Sequence, residues 1–143
     1  MKLKVLSFSG ENFSHNDVIS VRVMTKSWEI TVLEWHAPTI AVIEPCVLSL
    51  QYKNSDGEII ADDFAIGKGV IEINVYGVIV LADMLIDIEE INQNEVKEAK
   101  QRALDLMQEY KNTKDHIDMQ AFIEAEDMLL KSIAQLKLYD LKK

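Results

Sequence analysis

Nucleophiles, bases and metal ligands are the first residues to weigh, because their spacing limits what a chain can catalyse. The three histidines, His15, His36 and His116, stand far apart and form neither an HxH nor an HExxH spacing. A metal centre would have to be gathered from distant segments, and a structural role is the expectation. Cys46 is the single cysteine, which excludes an intramolecular disulfide, a CxxC redox pair and a cysteine cage and fits a reducing, cytosolic setting. It has no basic neighbour to lower its pKa and, beside Pro45, reads as a small packing residue. Gly67-Lys68-Gly69 resembles a phosphate loop only superficially: the upstream glycine is missing and Val70 stands where Ser or Thr is needed, so the string reads as a strand entry. Asp62-Asp63 and Glu89-Glu90 are acidic pairs. Sequence neighbours on a strand point to opposite faces, so Asp62 and Asp63 do not converge on one proton or ion. No nucleophile is paired with a base, and the expected role is contact rather than turnover.

A chain of 143 residues, 48% hydrophobic, can build one or two compact cores but not a large enzyme. Its net charge of −9 argues against nucleic acid, whose backbone rewards clustered Lys and Arg. Residues 1–91 carry −8 of that charge, a composition shift that hints at two units. The opening Met1-Lys2-Leu3-Lys4-Val5-Leu6-Ser7 alternates polar with apolar residues and reads as no export signal. The best apolar run, Val70 to Leu81, is broken by Glu72 and Asn74 and falls short of the ~18 residues of a spanning helix. Membrane association is therefore expected only through partners.

The elements that would position any contact surface come in two styles. From Lys2 to about Leu81, short apolar alternations separated by turn signals predict eight to ten strands of an all-β sandwich. Val21 and Val23 alternate with Ser20 and Arg22, and Leu48, Leu50 and Tyr52 share a face of a strand ending at Asn54-Ser55-Asp56-Gly57. Asp56-Gly57 suits a tight hairpin with positive φ, and Glu58 to Phe64 returns. Val78-Ile79-Val80-Leu81 is wholly apolar and is expected to be buried on both faces.

Beyond Asp83 there is no glycine, and helix formers replace the alternation. Val96, Ala99, Ala103, Met107 and Tyr110 mark one helix, with Asn92 or Asn94 as its N-cap. After a polar connection at 111–115, a second helix from about Asp118 places Met119, Phe122, Glu126, Leu129, Ile133 and Leu136 on one stripe. The fold class is α+β: an all-β N-terminal sandwich over residues 1–86 and a C-terminal α-helical hairpin over 87–143. A hairpin with one narrow stripe buries too little to stand alone, so it leans on the sandwich, on another protein, or on each in turn.

In this order, three strings resemble the epsilon subunit of bacterial F-type ATP synthases. They are Glu29-Ile30-Thr31-Val32-Leu33 with His36-Ala37-Pro38 and Glu44-Pro45; Gly69 to Ile73 through Val80-Leu81-Ala82-Asp83; and Ser132-Ile133-Ala134-Gln135-Leu136-Lys137. The resemblance covers essentially the whole chain. It departs where family members carry glycines, because Ser27 or Trp28, Thr31 and Cys46 occupy those places. Altered loop geometry is expected there, since these residues reach left-handed φ only at a cost.

The resemblance implies a non-catalytic rotor subunit at the foot of the central stalk. Its sandwich would touch the gamma-type subunit and the membrane ring during proton-driven ATP synthesis. The subunit would lie peripherally on the cytoplasmic face of the bacterial membrane. It assigns the ring-facing loop to Glu29, Ile30 and Thr31, with His36 close by. It also implies a hairpin that can extend toward the catalytic beta subunit and restrain ATP hydrolysis, where Lys131, Lys137 and Lys142-Lys143 could meet acidic segments. Some relatives bind ATP through an Ile/Leu-Asp-x-x-Arg-Ala motif. Here Asn92 replaces the acid, Glu95 the arginine and Val96 the alanine, leaving Arg102 as the matching cation, so no ATP binding is expected. The alternative is a free-standing β-sandwich adaptor whose helical hairpin recognises a different partner.

Overall fold

The computed structural model describes residues 1–8, 10, 12–111 and 115–142. Ten strands run in chain order: β1 (Leu3–Ser7), β2 (Asn12–His15), β3 (Val18–Met24), β4 (Glu29–Leu33), β5 (Thr39–Ile43), β6 (Cys46–Lys53), β7 (Ile59–Ile66), β8 (Gly69–Asn74), β9 (Gly77–Ala82) and β10 (Leu85–Ile86). They form two five-stranded sheets, β2-β1-β9-β8-β5 and β10-β7-β6-β3-β4. All pairings are antiparallel except β1 with β9. The period-2 alternation places Val5, Ile43, Ile71 and Val80 of one sheet against Val21, Val32, Leu48, Leu50 and Ile66 of the other, all essentially inaccessible to water. The two helices follow, so the α+β arrangement expected from the pattern is the one observed.

Local chemistry explains the turns. At the β6–β7 hairpin, Gly57 sits at φ 79°, as the Asp-Gly pair predicts. The loop is nevertheless longer than a two-residue turn, because Asn54 N–H donates to the Glu58 carbonyl at 2.9 Å and three residues lie between them. The Asn54 side-chain oxygen accepts from the N–H groups of Asp56 and Glu58, and this Asx geometry selects the longer loop.

Between β3 and β4 the missing glycines are replaced by a hydroxyl. The buried Thr25 side chain donates to the Trp28 carbonyl at 2.6 Å and accepts from the N–H groups of Ser27 and Trp28. The turn closes without left-handed backbone, and Ser27, Trp28, Thr31 and Cys46 all keep negative φ. Thr31 and Cys46 are strand residues, which removes the need for glycine there. Among the described non-glycine residues, Trp35 alone has positive φ, at 69°.

Two expectations about burial are corrected. Val78 and Val80 are buried, but Leu81 on the same strand is 48% exposed, so β9 is covered on one face only. The register aligns Val42, Val70, Leu81 and Leu6 across the uncovered outer face of the first sheet. Continuous apolarity signals two-sided burial only where another layer supplies the second face, and here the second helix packs on the other sheet, at β6 and β7.

Asp87 caps a short 3-10 turn, Ile88–Glu90, in a capping box with Glu90. Helix α1 (Gln93–Glu109) follows with Asn92 as N-cap, its side-chain oxygen accepting from Glu95 N–H at 3.3 Å. Helix α2 (His116–Lys142) spans about 40 Å at 1.5 Å per residue. Of the expected polar connection, residues 112–114 lie outside those described. Val96 and Ala103 of α1 are buried as predicted.

The α2 stripe is different from the one predicted. Among its described side chains Ala125, Ser132, Ala134 and Leu138 are buried, while Ile133 is 42% and Met119 46% exposed. The helix packs on α1 and also on β6 and β7. A helix gripped on two sides selects small residues for close approach, and the large apolar ones that dominate a periodicity reading fall between the seams.

Candidate functional site

Three groups of side chains carry the functional expectations: the start of β4, the turn after it, and the seam between α2 and the second sheet. Glu29, Ile30 and Thr31 do not form a loop but begin β4, an edge strand paired with Met24, Val23 and Arg22 of β3. Alternation turns Ile30 inward, where it packs on the core, and leaves Glu29 and Thr31 exposed. The loop proper is the preceding turn, which presents Trp28 to solvent.

His36 lies beyond the other end of β4, in a turn where its N–H donates to the Leu33 carbonyl at 3.1 Å. Its Nδ1 is 2.8 Å from the Ala37 carbonyl, which fixes the ring. Glu29 to Leu33 alone spans about 13 Å at ~3.3 Å per residue, so His36 and Glu29 occupy opposite poles and form no common patch. His36 instead lines an open cleft of about 660 Å³ together with Met1, Glu34, Trp35 and Tyr76. Trp35 is 95% exposed there. The other histidines are dispersed: His15 rests against the Tyr52 ring at 4.5 Å, and His116 opens α2.

Lys137 stays exposed on α2, near the Glu29 pole. The charges of Lys137, Glu29 and Glu44 all reach the thiol of Cys46. Burial is the main influence on that thiol and, despite a hydrogen bond from the Met24 backbone, pushes its pKa up to about 11. At neutral pH Cys46 is a protonated packing group with no nucleophilic character.

Lys131 is engaged with the sandwich. Its ammonium donates to Asp83 Oδ2 at 2.8 Å and to Asp127 Oδ2, one helical turn away, at 3.0 Å. Partial burial opposes the charge, but these carboxylates outweigh it and raise the Lys131 pKa above the ordinary lysine value. Near the helix end Lys142 bonds Asp62 Oδ1 at 3.0 Å, and its pKa is likewise raised in spite of partial burial. In the sequence Asp83 is only the end of a strand string, and neither Asp62 nor Asp127 stands out as a partner. An i,i+4 spacing could have suggested Asp127 with Lys131, but nothing local points to Asp83 or Asp62.

At the positions of the nucleotide motif weighed in the sequence, the side chain of Asn92 is committed to capping α1, Glu95 is exposed in the first turn and Val96 is buried. Arg102 is exposed on the same helix, so these positions offer no converging cations. Among the described residues no three His, Cys, Asp or Glu side chains are placed to hold a metal ion. Among them, too, no helix is long and apolar enough to cross a membrane.

Comparison with known proteins places this architecture. Residues 1–88 match the family model of the ATP synthase delta/epsilon chain β-sandwich domain. The ATP synthase epsilon chain of Neisseria meningitidis serogroup C is 31% identical over 140 residues, covering 98% of this chain and 93% of the relative. The epsilon chain of Staphylococcus haemolyticus is 26% identical over 137 residues, covering 96% and 98%. In fold, the chain is similar to one in the Euglena gracilis mitochondrial ATP synthase, with a TM-score of 0.71 and 21% identity over 94% of this chain and 78% of that one. A central stalk and ring structure of the Tetrahymena thermophila mitochondrial ATP synthase contains another, at a TM-score of 0.60, 13% identity and coverage of 97% and 96%. The β-sandwich followed by a helical hairpin, matched over nearly its full length, makes this chain a member of the ATP synthase delta/epsilon family.

Proposed function

We propose that the chain is the epsilon-type subunit of a bacterial F-type ATP synthase, a non-catalytic part of the central stalk that rotates with it during proton-driven ATP synthesis. The match to epsilon chains over 98% of the sequence carries this reading, because it includes the hairpin as well as the sandwich. A close-packed sandwich transmits torque as a stiff body, and its functional surfaces are contact surfaces. Residues 1–86 would join the gamma-type subunit to the membrane ring, with Glu29 and Thr31 at the ring-facing pole. His36 lies at the opposite pole and is better suited to another stalk contact than to the same ring contact. Association with the cytoplasmic face of the membrane would be peripheral and through partners.

Residues 87–143 would act as a restraint on ATP hydrolysis when the hairpin leaves the sandwich and reaches the catalytic beta subunit. In the docked position Lys137 is exposed, whereas Lys131 becomes available only on release. ATP is not a ligand in this reading, because Asn92, Glu95 and Val96 supply no cation; calorimetry detecting a tight ATP complex with the isolated chain would reverse it.

The deciding experiment is a pull-down of the tagged chain from native membranes. Recovery of gamma-type, beta and ring subunits is expected, and recovery without them favours the adaptor. Removing residues 92–143 from the assembled enzyme tests the restraint: hydrolysis should rise, and an unchanged rate removes the hairpin from regulation.

A further inference from the structure

The seam between α2 and the sandwich is poor in apolar contact. Its fully buried members are Ala65, Ala134 and Leu138, ringed by partly buried Val47, Met84, Ile86, Ile88 and Ile91. Small side chains let a helix approach a sheet closely but leave several translations along it nearly equivalent, since a methyl group fits many shallow grooves. Leu138 is the one large side chain in that buried cluster, so charge pairing has room to add to the selection of one register.

The β7–β8 and β9–β10 turns lie side by side at this seam and are stitched together by their backbones. Gly67 N–H donates to the Met84 carbonyl at 3.0 Å, and Asp83 N–H donates to the Lys68 carbonyl at 3.0 Å. Gly67 leaves the space in which the Asp83 carboxylate sits, because a Cβ built on it would run into Asp83 Oδ1 and would lie 3.1 Å from Lys131 Cε. Asp83 Oδ1 is buried and has no hydrogen-bond donor among the described residues, while Oδ2 receives Lys131 at 2.8 Å. The carboxylate thus depends on one ammonium from the helix for its compensation. Asp127 shares that ammonium and faces Lys68 of the sandwich at 3.9 Å. Each body contributes one cation and one anion, so the charges alternate across the seam. Sliding α2 by one turn would bring like charges together.

We propose that Asp83, seated on Gly67, is the positioning residue that fixes the register of α2 on the sandwich, with Lys131, Asp127 and Lys68 completing a four-charge lock. Gly67-Lys68 then serves this lock rather than phosphate. The lock concerns the docked arrangement itself and stands whether or not the hairpin restrains hydrolysis.

The test uses the full chain with Cys46→Ser and two spin labels, one at exposed Lys4 on β1 and one at exposed Glu124 on α2. Unchanged charges should give one narrow interlabel distance. Asp83→Ala should broaden or shift it, with the docked population falling about tenfold, as expected for loss of a charged hydrogen bond. Gly67→Ala should do the same although it removes no contact with the helix, and it should add nothing in an Asp83→Ala background. Lys131→Gln, which lies on the helix and leaves the sandwich core untouched, guards against misfolding of the Asp83 variant and should match it. Unchanged distances in both Lys131→Gln and Gly67→Ala overturn the lock. A working lock combined with unaltered hydrolysis after removal of residues 92–143 overturns the regulatory reading alone.

Discussion

The interior of the sandwich and the seam beneath α2 are built on opposite principles. Between the sheets, branched aliphatic side chains such as Val21, Leu48, Ile66 and Ile71 interdigitate with almost no accessible surface. Under the helix, alanines and one leucine make the buried contact, and ion pairs at Asp83 and Asp62 flank it. The first arrangement stabilises by area and tolerates no loss of volume; the second gains little from area and much of its specificity from charge. Such a contrast suits a rigid body carrying an element whose docking is closer to balance.

The contrast is most exposed to test at the core. Ile71→Ala should cost the sandwich about 2–5 kcal/mol, read as a lowered urea midpoint by far-ultraviolet circular dichroism. A cost below about 1 kcal/mol would mean that the interior is not close-packed.

Leu138→Ala is the corresponding cut in the seam, at about 2 kcal/mol because small neighbours and nearby solvent soften the cavity. Its signature is regional. Amide exchange in α1 and α2 should accelerate by roughly thirtyfold while β6 and β8 amides stay protected, and equal acceleration everywhere would show that the two regions unfold as one.

Asn92→Ala removes the N-cap of α1 and should cost about 1 kcal/mol, confined to the hairpin and measurable by the same exchange experiment.

Smallest is Lys142→Met, within about 0–1 kcal/mol for a partly exposed pair near the helix end. The pH dependence bears on the same seam. Lys131 and Lys142 have pKa values raised by docking, so their contribution is complete below the ordinary lysine value near ~10.4 and is lost as pH rises through the elevated ones. Hairpin protection should therefore be level from about pH 6 to 9 and decline only above about pH 10.5, and an earlier decline would point to other groups.

Strand alternation, helix periodicity and the Asp-Gly signal are local properties, which is why the sandwich, the hairpin and the positive φ at Gly57 are legible in the residue order alone. The Thr25 hydroxyl turn is not, since absent glycines do not reveal which side chain replaces them. The α2 stripe escapes for a similar reason: periodicity weighs large residues, whereas Ala125, Ser132 and Ala134 are the ones that two neighbours bury. At the candidate surface, Glu29 and His36 look adjacent because only a few residues separate them, but an extended strand carries them to opposite poles.

That this chain alternates into strands and then turns helical follows from residue order, because both properties are set by neighbours along the chain. That Asp83 faces Lys131, and that a glycine makes room for the carboxylate, follows from packing alone. Pairing between distant segments leaves no period in a sequence; it exists only once packing has brought the two backbones together.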